Sequence, residues 1–214
     1  MRSKYLAFGL ILVGLLLALA ATILSVSTGK SEPKPPPAAL RSSSAPSSTK
    51  LSQNTIDSYA VAADLPKYIE IPSIGIGRAR VIQLGLMKNG SIAVPGNIYD
   101  TGWYTGSSKP GQPGAMFIYG HVSSWQANGV FYNLKKLQPG DKVIVTRGDN
   151  KIFTYRVVTN KVYSYNSVDM NQVLAPINRG VPGLNLMTCT GQIIKGTSEF
   201  NQRLVVFASL ISSG

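Results

Sequence analysis

Short apolar segments separated by turn residues dominate the chain beyond residue 63, and they restrict the possible folds more than any other feature. The segments are rich in isoleucine, valine and aromatic residues, and stretches such as SKPGQPG and LQPGD separate them. Runs of this length and composition predict β-strands, and turn residues at this spacing are typical of an all-β domain. The predicted strands are 67–72, 90–95, 115–121, 142–146, 152–165, 184–189 and 203–210.

Helical periodicity is weak in the same part of the chain. Residues 129–137 and 169–174 each predict one or two helical turns. Seven or eight short strands at this spacing indicate a β-barrel or a β-sandwich. We expect a mainly β domain over residues 63–214, built as a closed or nearly closed barrel.

The first 27 residues predict a membrane anchor. Residues 5–26 form an uncharged run of 22 residues, and Arg2 and Lys4 precede it. A helix of this length crosses a bilayer core of about 30 Å, and the positive charges place its amino end in the cytoplasm. The alternative is a cleaved signal peptide with its cleavage site at 18–20. The apolar run continues past that site and favours an uncleaved single-pass anchor, but both interpretations place the domain outside the cell.

Residues 28–62 predict a flexible linker between the anchor and the barrel. The stretch 27–50 contains five prolines and seven serines among 24 residues, with almost no bulky apolar side chains. Such a segment cannot bury enough apolar surface to fold. We therefore expect the ordered domain to begin near Ala63.

Charge and residue counts exclude several classes of site. The chain carries a formal net charge of +12, with one cysteine and one histidine. One cysteine excludes an internal disulfide and a cysteine-based zinc cluster, and one histidine excludes a multi-histidine metal site. The acidic residues are scattered, so we expect no metal and no cofactor. The positive charge favours polyanions such as cell-wall polymers or lipid head groups, and export of the domain argues against nucleic acid.

Three side chains of complementary chemistry stand at predicted strand ends: His121, Cys189 and Arg203. A thiol attacks as its thiolate, and an adjacent imidazole can take its proton. A guanidinium nearby can hold a carbonyl or a developing oxyanion. Together the three indicate acyl transfer from a peptide. Each residue also has an ordinary structural interpretation: a buried thiol, a histidine with its hydrogen bonds made, and a solvated arginine. The residues alone do not decide between the catalytic and the structural interpretation.

Three motifs around these residues resemble those of the sortases, the cysteine transpeptidases of bacterial surfaces. They are NLMTC (185–189), YGH (119–121) and QRLVVFA (202–208), and the likeness extends over about 67–210. The chain is most similar to sortases with a GWY…PG stretch ahead of the histidine, often called class F or E. One departure is Asn185, which stands where the family usually has threonine.

The resemblance implies an eight-stranded barrel and a role for each motif residue. Cys189 would attack the Thr–Gly bond of an LPxTG-like sorting signal and form a thioacyl enzyme. His121 would act as general acid to the departing amine and then as base to the incoming one. Arg203 would hold substrate carbonyls and the oxyanion, and Thr188 would line the peptide groove.

The segment 162–183 lies where the family usually carries the loop that selects the sorting signal. Its apolar residues, among them Val168 and Ile177, predict either a pocket for the Leu-Pro part of the signal or ordinary packing. The implied partners are exported proteins with a C-terminal sorting signal and a cell-wall amine that accepts the acyl group. Two alternatives are a pilin-polymerising sortase and a non-catalytic basic module that binds the cell wall.

Overall fold

The computed structural model describes residues 45–214, in which eight strands form a closed barrel with few helices. This confirms the predicted mainly β barrel. The strands are β1 (Pro66–Ile71), β2 (Ile76–Leu84), β3 (Thr101–Tyr104), β4 (Ala115–Gly120), β5 (Lys142–Arg147), β6 (Ile152–Ser164), β7 (Gly183–Ile193) and β8 (Phe200–Ser213). The helices are α1 (Gln53–Asp57) and α2 (Met170–Leu174), with 3-10 turns at Pro72–Ile74 and Leu134–Lys136.

The order of strands around the barrel is β1–β2–β3–β4–β7–β8–β6–β5, and β5 closes the barrel on β1. Most neighbouring strands are antiparallel, whereas β2–β3 and β4–β7 are parallel. The parallel pair β4–β7 brings the carboxyl ends of two strands together, although they lie far apart in sequence. The antiparallel pair β7–β8 then places the start of β8 beside the end of β7.

Strand β4 is buried on both faces, which explains why its sequence, AMFIYG, is a continuous apolar run rather than an alternating one. Met116 and Ile118 point into the core inside the barrel. Phe117 and Tyr119 belong to a second buried cluster on the other face, which we call the outer cluster. The segment that carries α2 covers the outer cluster through Val168, Met170 and Val173.

Five predicted strands coincide with β1, β4, β5 and β6 and with the first part of β7, and the prediction 203–210 falls within β8. The sequence interpretation missed β2 and β3. In β2 two arginines interrupt the apolar residues, and β3 is only four residues long. Strand β3 also contains Gly102, where an added Cβ would lie 2.0 Å from Cδ1 of Leu84. The glycine is therefore required by close packing against β2.

The strand predicted at 90–95 is wrong. Here the chain forms a tight turn in which the amide of Gly90 donates to the carbonyl of Met87, and Gly90 has φ +79°. Within the described residues, the only β-type pairing in this stretch is an isolated antiparallel bridge between Leu86 and Ile92. Ile92 is fully buried in the outer cluster. The apolar pattern thus reflects burial of a loop rather than strand pairing.

Part of the segment predicted as linker contacts the barrel. The amide of Ser47 donates to the carbonyl of Gly96 at 2.8 Å, and the hydroxyl of Tyr59 donates to the carbonyl of Val81 at 2.8 Å. The hydroxyl of Tyr68 donates to the carbonyl of Ile56 in α1. These hydrogen bonds compensate for the low apolar content of residues 45–62, and contact with the barrel begins ahead of Ala63.

The predicted anchor, 1–27, and the linker residues 28–44 lie outside the described residues. Within 45–214 we find no helix with the length and apolar character needed to span a membrane.

A partly buried ion pair ties β2 to the start of β3, and its removal should destabilise the barrel. The guanidinium of Arg80 donates to both carboxylate oxygens of Asp100, at 2.9 Å and 2.7 Å, and the two side chains are 17% and 5% exposed. Removing Asp100 leaves the guanidinium of Arg80, which is largely shielded from solvent, without its compensating charge. We expect Asp100→Ala to lower the free energy of unfolding by about 3 kcal/mol, measured by urea denaturation.

The control is Asp57→Ala, which removes a carboxylate from a pair with Arg78 in which both side chains are about half exposed. Exposed pairs contribute little, so we expect a change below about 1 kcal/mol. Equal stabilities of the two variants would contradict a stabilising role for the pair of Arg80 and Asp100.

Candidate active site

The ends of β7 and β8 place the thiol beside the guanidinium. Cys189 and Arg203 are directly opposite each other in the antiparallel pair β7–β8. Opposite residues of such a pair point to the same face of the sheet. That face carries the outer cluster, against which Cys189 packs while partly exposed.

The imidazole approaches from the other side of β7. In the parallel pair β4–β7 Tyr119 is aligned with Met187. His121 follows β4 directly, and continuing this register by two residues aligns it with Cys189. The strand order β4–β7–β8 therefore places the cysteine between the histidine and the arginine.

All three side chains line one open groove of about 700 Å³, which we call the central groove. Its walls also include Tyr119, the residues 122–126 that follow the histidine, and 198–200, which lead into β8. The remaining lining residues are Ala45, Pro46, Ser48, Val94 and Ile193. An open groove lined by apolar residues and a few convergent polar groups is suited to bind a ligand.

The imidazole is held by a backbone carbonyl. Nε2 of His121 lies 2.8 Å from the carbonyl oxygen of Pro95. A carbonyl oxygen only accepts, so Nε2 carries the proton and Nδ1 of the neutral ring is left as the proton acceptor. Burial lowers the pKa of His121, although the hydrogen bond to Pro95 opposes this. The ring is therefore neutral at neutral pH and ready to act as a base.

The backbone of His121 is fixed by the chain that returns after the groove-lining loop. The carbonyl of His121 accepts from the amide of Phe131, and that of Val122 accepts from the amide of Gly129. An added Cβ at Gly129 would lie 2.3 Å from the carbonyl oxygen of His121, so only glycine permits this approach. The sequence interpretation placed one or two helical turns over 129–137 and missed this support.

The arginine is buried, with only 3% of the residue exposed, and its guanidinium is oriented by backbone carbonyls. Nη1 of Arg203 donates to the carbonyls of Phe200 and Gln202, at 2.8 Å and 2.9 Å. Its Nε is also buried and has no hydrogen-bond partner among the described residues. An unsatisfied charged donor in a buried position is costly, and a bound carbonyl or oxyanion would satisfy it.

Comparison with known proteins identifies the family. The sortase domain model matches residues 69–211, which is more than half of the chain. The chain belongs to the sortase family. It is accordingly a cysteine transpeptidase, and sortases as a group act on sorting-signal substrates and amine acceptors at the cell surface.

Solved sortase structures share the fold at low sequence identity. Sortase C-1 from Streptococcus pneumoniae is 23% identical, with a TM-score of 0.53, over 72% of this chain and 70% of that one. The SrtA sortase from Actinomyces oris is 19% identical, with a TM-score of 0.54, over 73% and 91%. A sortase D5 transpeptidase from Clostridium perfringens is 24% identical, with a TM-score of 0.50, over 75% and 86%. No curated protein sequence matches significantly. The class F or E assignment stays a prediction.

Thr188 of this sortase faces away from the central groove. It is 2% exposed, and its hydroxyl donates to the carbonyl of Gly120 at 2.8 Å. This hydrogen bond joins β7 to β4 at the residue before His121 and so helps to hold the cysteine and histidine strands in register. The role predicted for Thr188 in lining the peptide groove stays a prediction, and its described contacts are structural.

Val168 and Ile177 pack in or against the outer cluster, and neither lines the central groove. Packing, one of the two alternatives for the segment 162–183, accounts for their described surroundings, and a pocket for the sorting signal stays a prediction. Asn185 supports the same segment, because its amide nitrogen donates to the carbonyls of Val173 and Ala175 at the end of α2. The departure from the family motif thus anchors this loop to β7.

The lowered pKa of His121 predicts a pH dependence of stability. The unfolded state, with an ordinary histidine pKa of about 6.5, binds the proton more readily than the folded state. The contribution of His121 to the free energy of unfolding should therefore be complete above about pH 6.5 and should decrease as the pH falls below that value. We expect the ring of the single histidine to titrate below 6.5 by NMR.

The matched variant for this test is His121→Gln, in which the melting temperature should vary less between pH 7 and pH 5. Asp149, whose pKa is lowered to about 2 by its hydrogen bond with Arg147, titrates below this window. A histidine pKa at or above 6.5 would contradict the expected effect of burial.

Proposed function

We propose that this sortase is a membrane-anchored transpeptidase that cleaves an LPxTG-like sorting signal and transfers the exported protein to a cell-wall amine. The observation that carries the proposal is the convergence of Cys189, His121 and Arg203 on the central groove, in which Nε of the arginine is an unsatisfied buried donor. A nucleophile, a proton acceptor and an oxyanion donor are the three groups that acyl transfer requires.

The first half of the reaction forms a thioester. His121 takes the thiol proton at Nδ1, and the carbonyl of Pro95 supports the resulting cation through Nε2–H. Sγ of Cys189 then attacks the threonine carbonyl of the signal, whose oxygen accepts from Arg203. The carbon–nitrogen bond to glycine breaks, and the imidazolium gives its proton to the departing amine.

The second half regenerates the thiol. An acceptor amine attacks the thioester carbonyl and loses a proton to the neutral imidazole. The new amide forms as Sγ departs as a thiolate, and the imidazolium returns the proton to the sulfur. Residues 5–26 would hold the enzyme in the membrane with its amino end in the cytoplasm. The barrel would then act on substrates and amine acceptors at the outer surface.

Intact-mass spectrometry of the full-length chain in mild detergent tests the proposal. The enzyme is incubated with LPxTG-like peptides, with and without triglycine as the amine acceptor. We expect an adduct equal in mass to the acyl fragment ending in threonine, and with triglycine a ligated peptide that increases with time. A scrambled peptide is the control. Absence of both the adduct and the ligated product across the peptide set would contradict the proposed substrate class.

A further inference from the structure

A tyrosine hydroxyl contacts the thiol of the central groove. Tyr119 lies on β4, two residues before His121, and its hydroxyl oxygen is 3.3 Å from Sγ of Cys189. The residue is only 3% exposed, yet it lines the groove. Among the described residues, the thiol is the one hydrogen-bond partner of this hydroxyl. The tyrosine is the first residue of the YGH motif, and the resemblance of that motif to the sortases implies no role for it.

Packing fixes the position of the phenol. Its ring is part of the outer cluster, together with Phe117 and Met187, and it belongs to a strand rather than a loop. The ring also stands edge-on to the imidazole of His121, with centroids 5.7 Å apart and planes at 77°. A side chain confined in this way holds its hydroxyl at one place beside the sulfur.

The protonation state of the phenol sets the direction of the hydrogen bond. Burial, followed by the neighbouring thiol, raises the pKa of Tyr119 well above its ordinary value. The phenol therefore keeps its proton at neutral pH. A thiolate has no proton to give, so a hydrogen bond between the two groups runs from the hydroxyl to the sulfur. Hydrogen bonds to an ionised acceptor are the stronger kind.

We propose that Tyr119 is a positioning residue that donates a hydrogen bond to Sγ of Cys189 and stabilises the thiolate. The inference rests on the proposed role of the cysteine as nucleophile. The bond favours the thiolate before attack on the peptide, and it favours the same thiolate again as the leaving group when the acceptor amine displaces it. The other titratable or charged groups lining the groove are His121, Arg203 and Glu199.

The test measures the rate of Cys189 alkylation by iodoacetamide from pH 5 to pH 10, using the full-length chain. The reaction reports on one site because the chain has a single cysteine. In Tyr119→Phe we expect alkylation at neutral pH to be about tenfold slower, with an unchanged plateau at high pH, where the thiol is fully ionised. We expect kcat for peptide transfer to fall by a similar factor with little change in KM.

The matched control is Tyr104→Phe, which removes a hydroxyl from the same outer cluster without touching the sulfur. Its alkylation profile should equal that of the wild type. An unchanged profile in Tyr119→Phe, or faster alkylation at neutral pH, would overturn the inference. An equal slowing at every pH would also overturn it, because that indicates altered access to the thiol.

These results separate the inference from the proposed function. Peptide adducts that form normally in the wild type, together with an unchanged profile in Tyr119→Phe, would leave the transpeptidase intact and refute the role of the tyrosine. No adduct with any peptide in the wild type would instead refute the proposed function, whatever the alkylation profile.

Discussion

We expect Cys189→Ala to form no acyl adduct and no ligated product with any sorting peptide. Removing a covalent nucleophile removes the two-step route, so the loss in turnover should be on the order of 10⁴-fold or greater. The barrel should remain folded, because Cys189 is only partly buried at the edge of the outer cluster. Intact-mass spectrometry and circular dichroism on the same sample measure both expectations.

A matched control for this variant is Thr190→Ala, which changes the next residue of β7. Successive side chains of a strand point to opposite faces, so this threonine is turned away from the thiol. We expect adduct formation to persist in it. Transfer at a normal rate by the cysteine-free chain would refute thioester chemistry and leave the non-catalytic interpretation of the thiol.

We expect Arg203→Lys to lower kcat/KM by about 10²- to 10³-fold, the range seen when one oxyanion donor is lost. The substitution keeps the positive charge. A lysine nitrogen cannot reproduce the planar set of donors, in which Nη1 binds the carbonyls of Phe200 and Gln202 and Nε has no partner among the described residues. Steady-state kinetics with the peptide and triglycine measure the effect.

The control for the arginine is Arg156→Lys, which changes an exposed arginine on β6. It should keep normal kinetics, which would separate the local geometry from the net charge of the chain. Melting temperatures of both variants show whether the fold is retained. Near-normal kcat/KM in a folded Arg203→Lys variant would exclude a specific role for the guanidinium.

The barrel was predictable from the sequence where strands are long and strongly apolar. Strands β4, β6 and β8 were recognised because each is at least six residues long and consists largely of apolar, β-branched or aromatic residues in its central part. Strand β3 was missed because four residues, one of them a glycine, are too few to show the alternation of apolar and polar residues that indicates a strand. The wrong strand at 90–95 arose because a buried loop and a strand share the same apolar composition, and only the hydrogen bonds distinguish them.

From the sequence alone, only those site residues could be predicted whose type or motif implies a chemical role. A single cysteine and a single histidine at strand ends restricted the possible thiol chemistry to Cys189 and His121. Nothing local in the sequence indicates that Pro95 holds the imidazole or that Tyr119 reaches the sulfur. Those contacts join residues 26 and 70 positions apart.

The sequence by itself therefore determined the class of fold, the family motifs and the identity of the reactive side chains, because these depend on composition and short-range pattern. Only the tertiary structure decided which groups surround them. The parallel pairing of β4 with β7 and the antiparallel pairing of β7 with β8 bring the histidine, cysteine and arginine side by side. Strand pairing between distant segments follows from the shared burial of whole faces, and no single stretch of the chain encodes it.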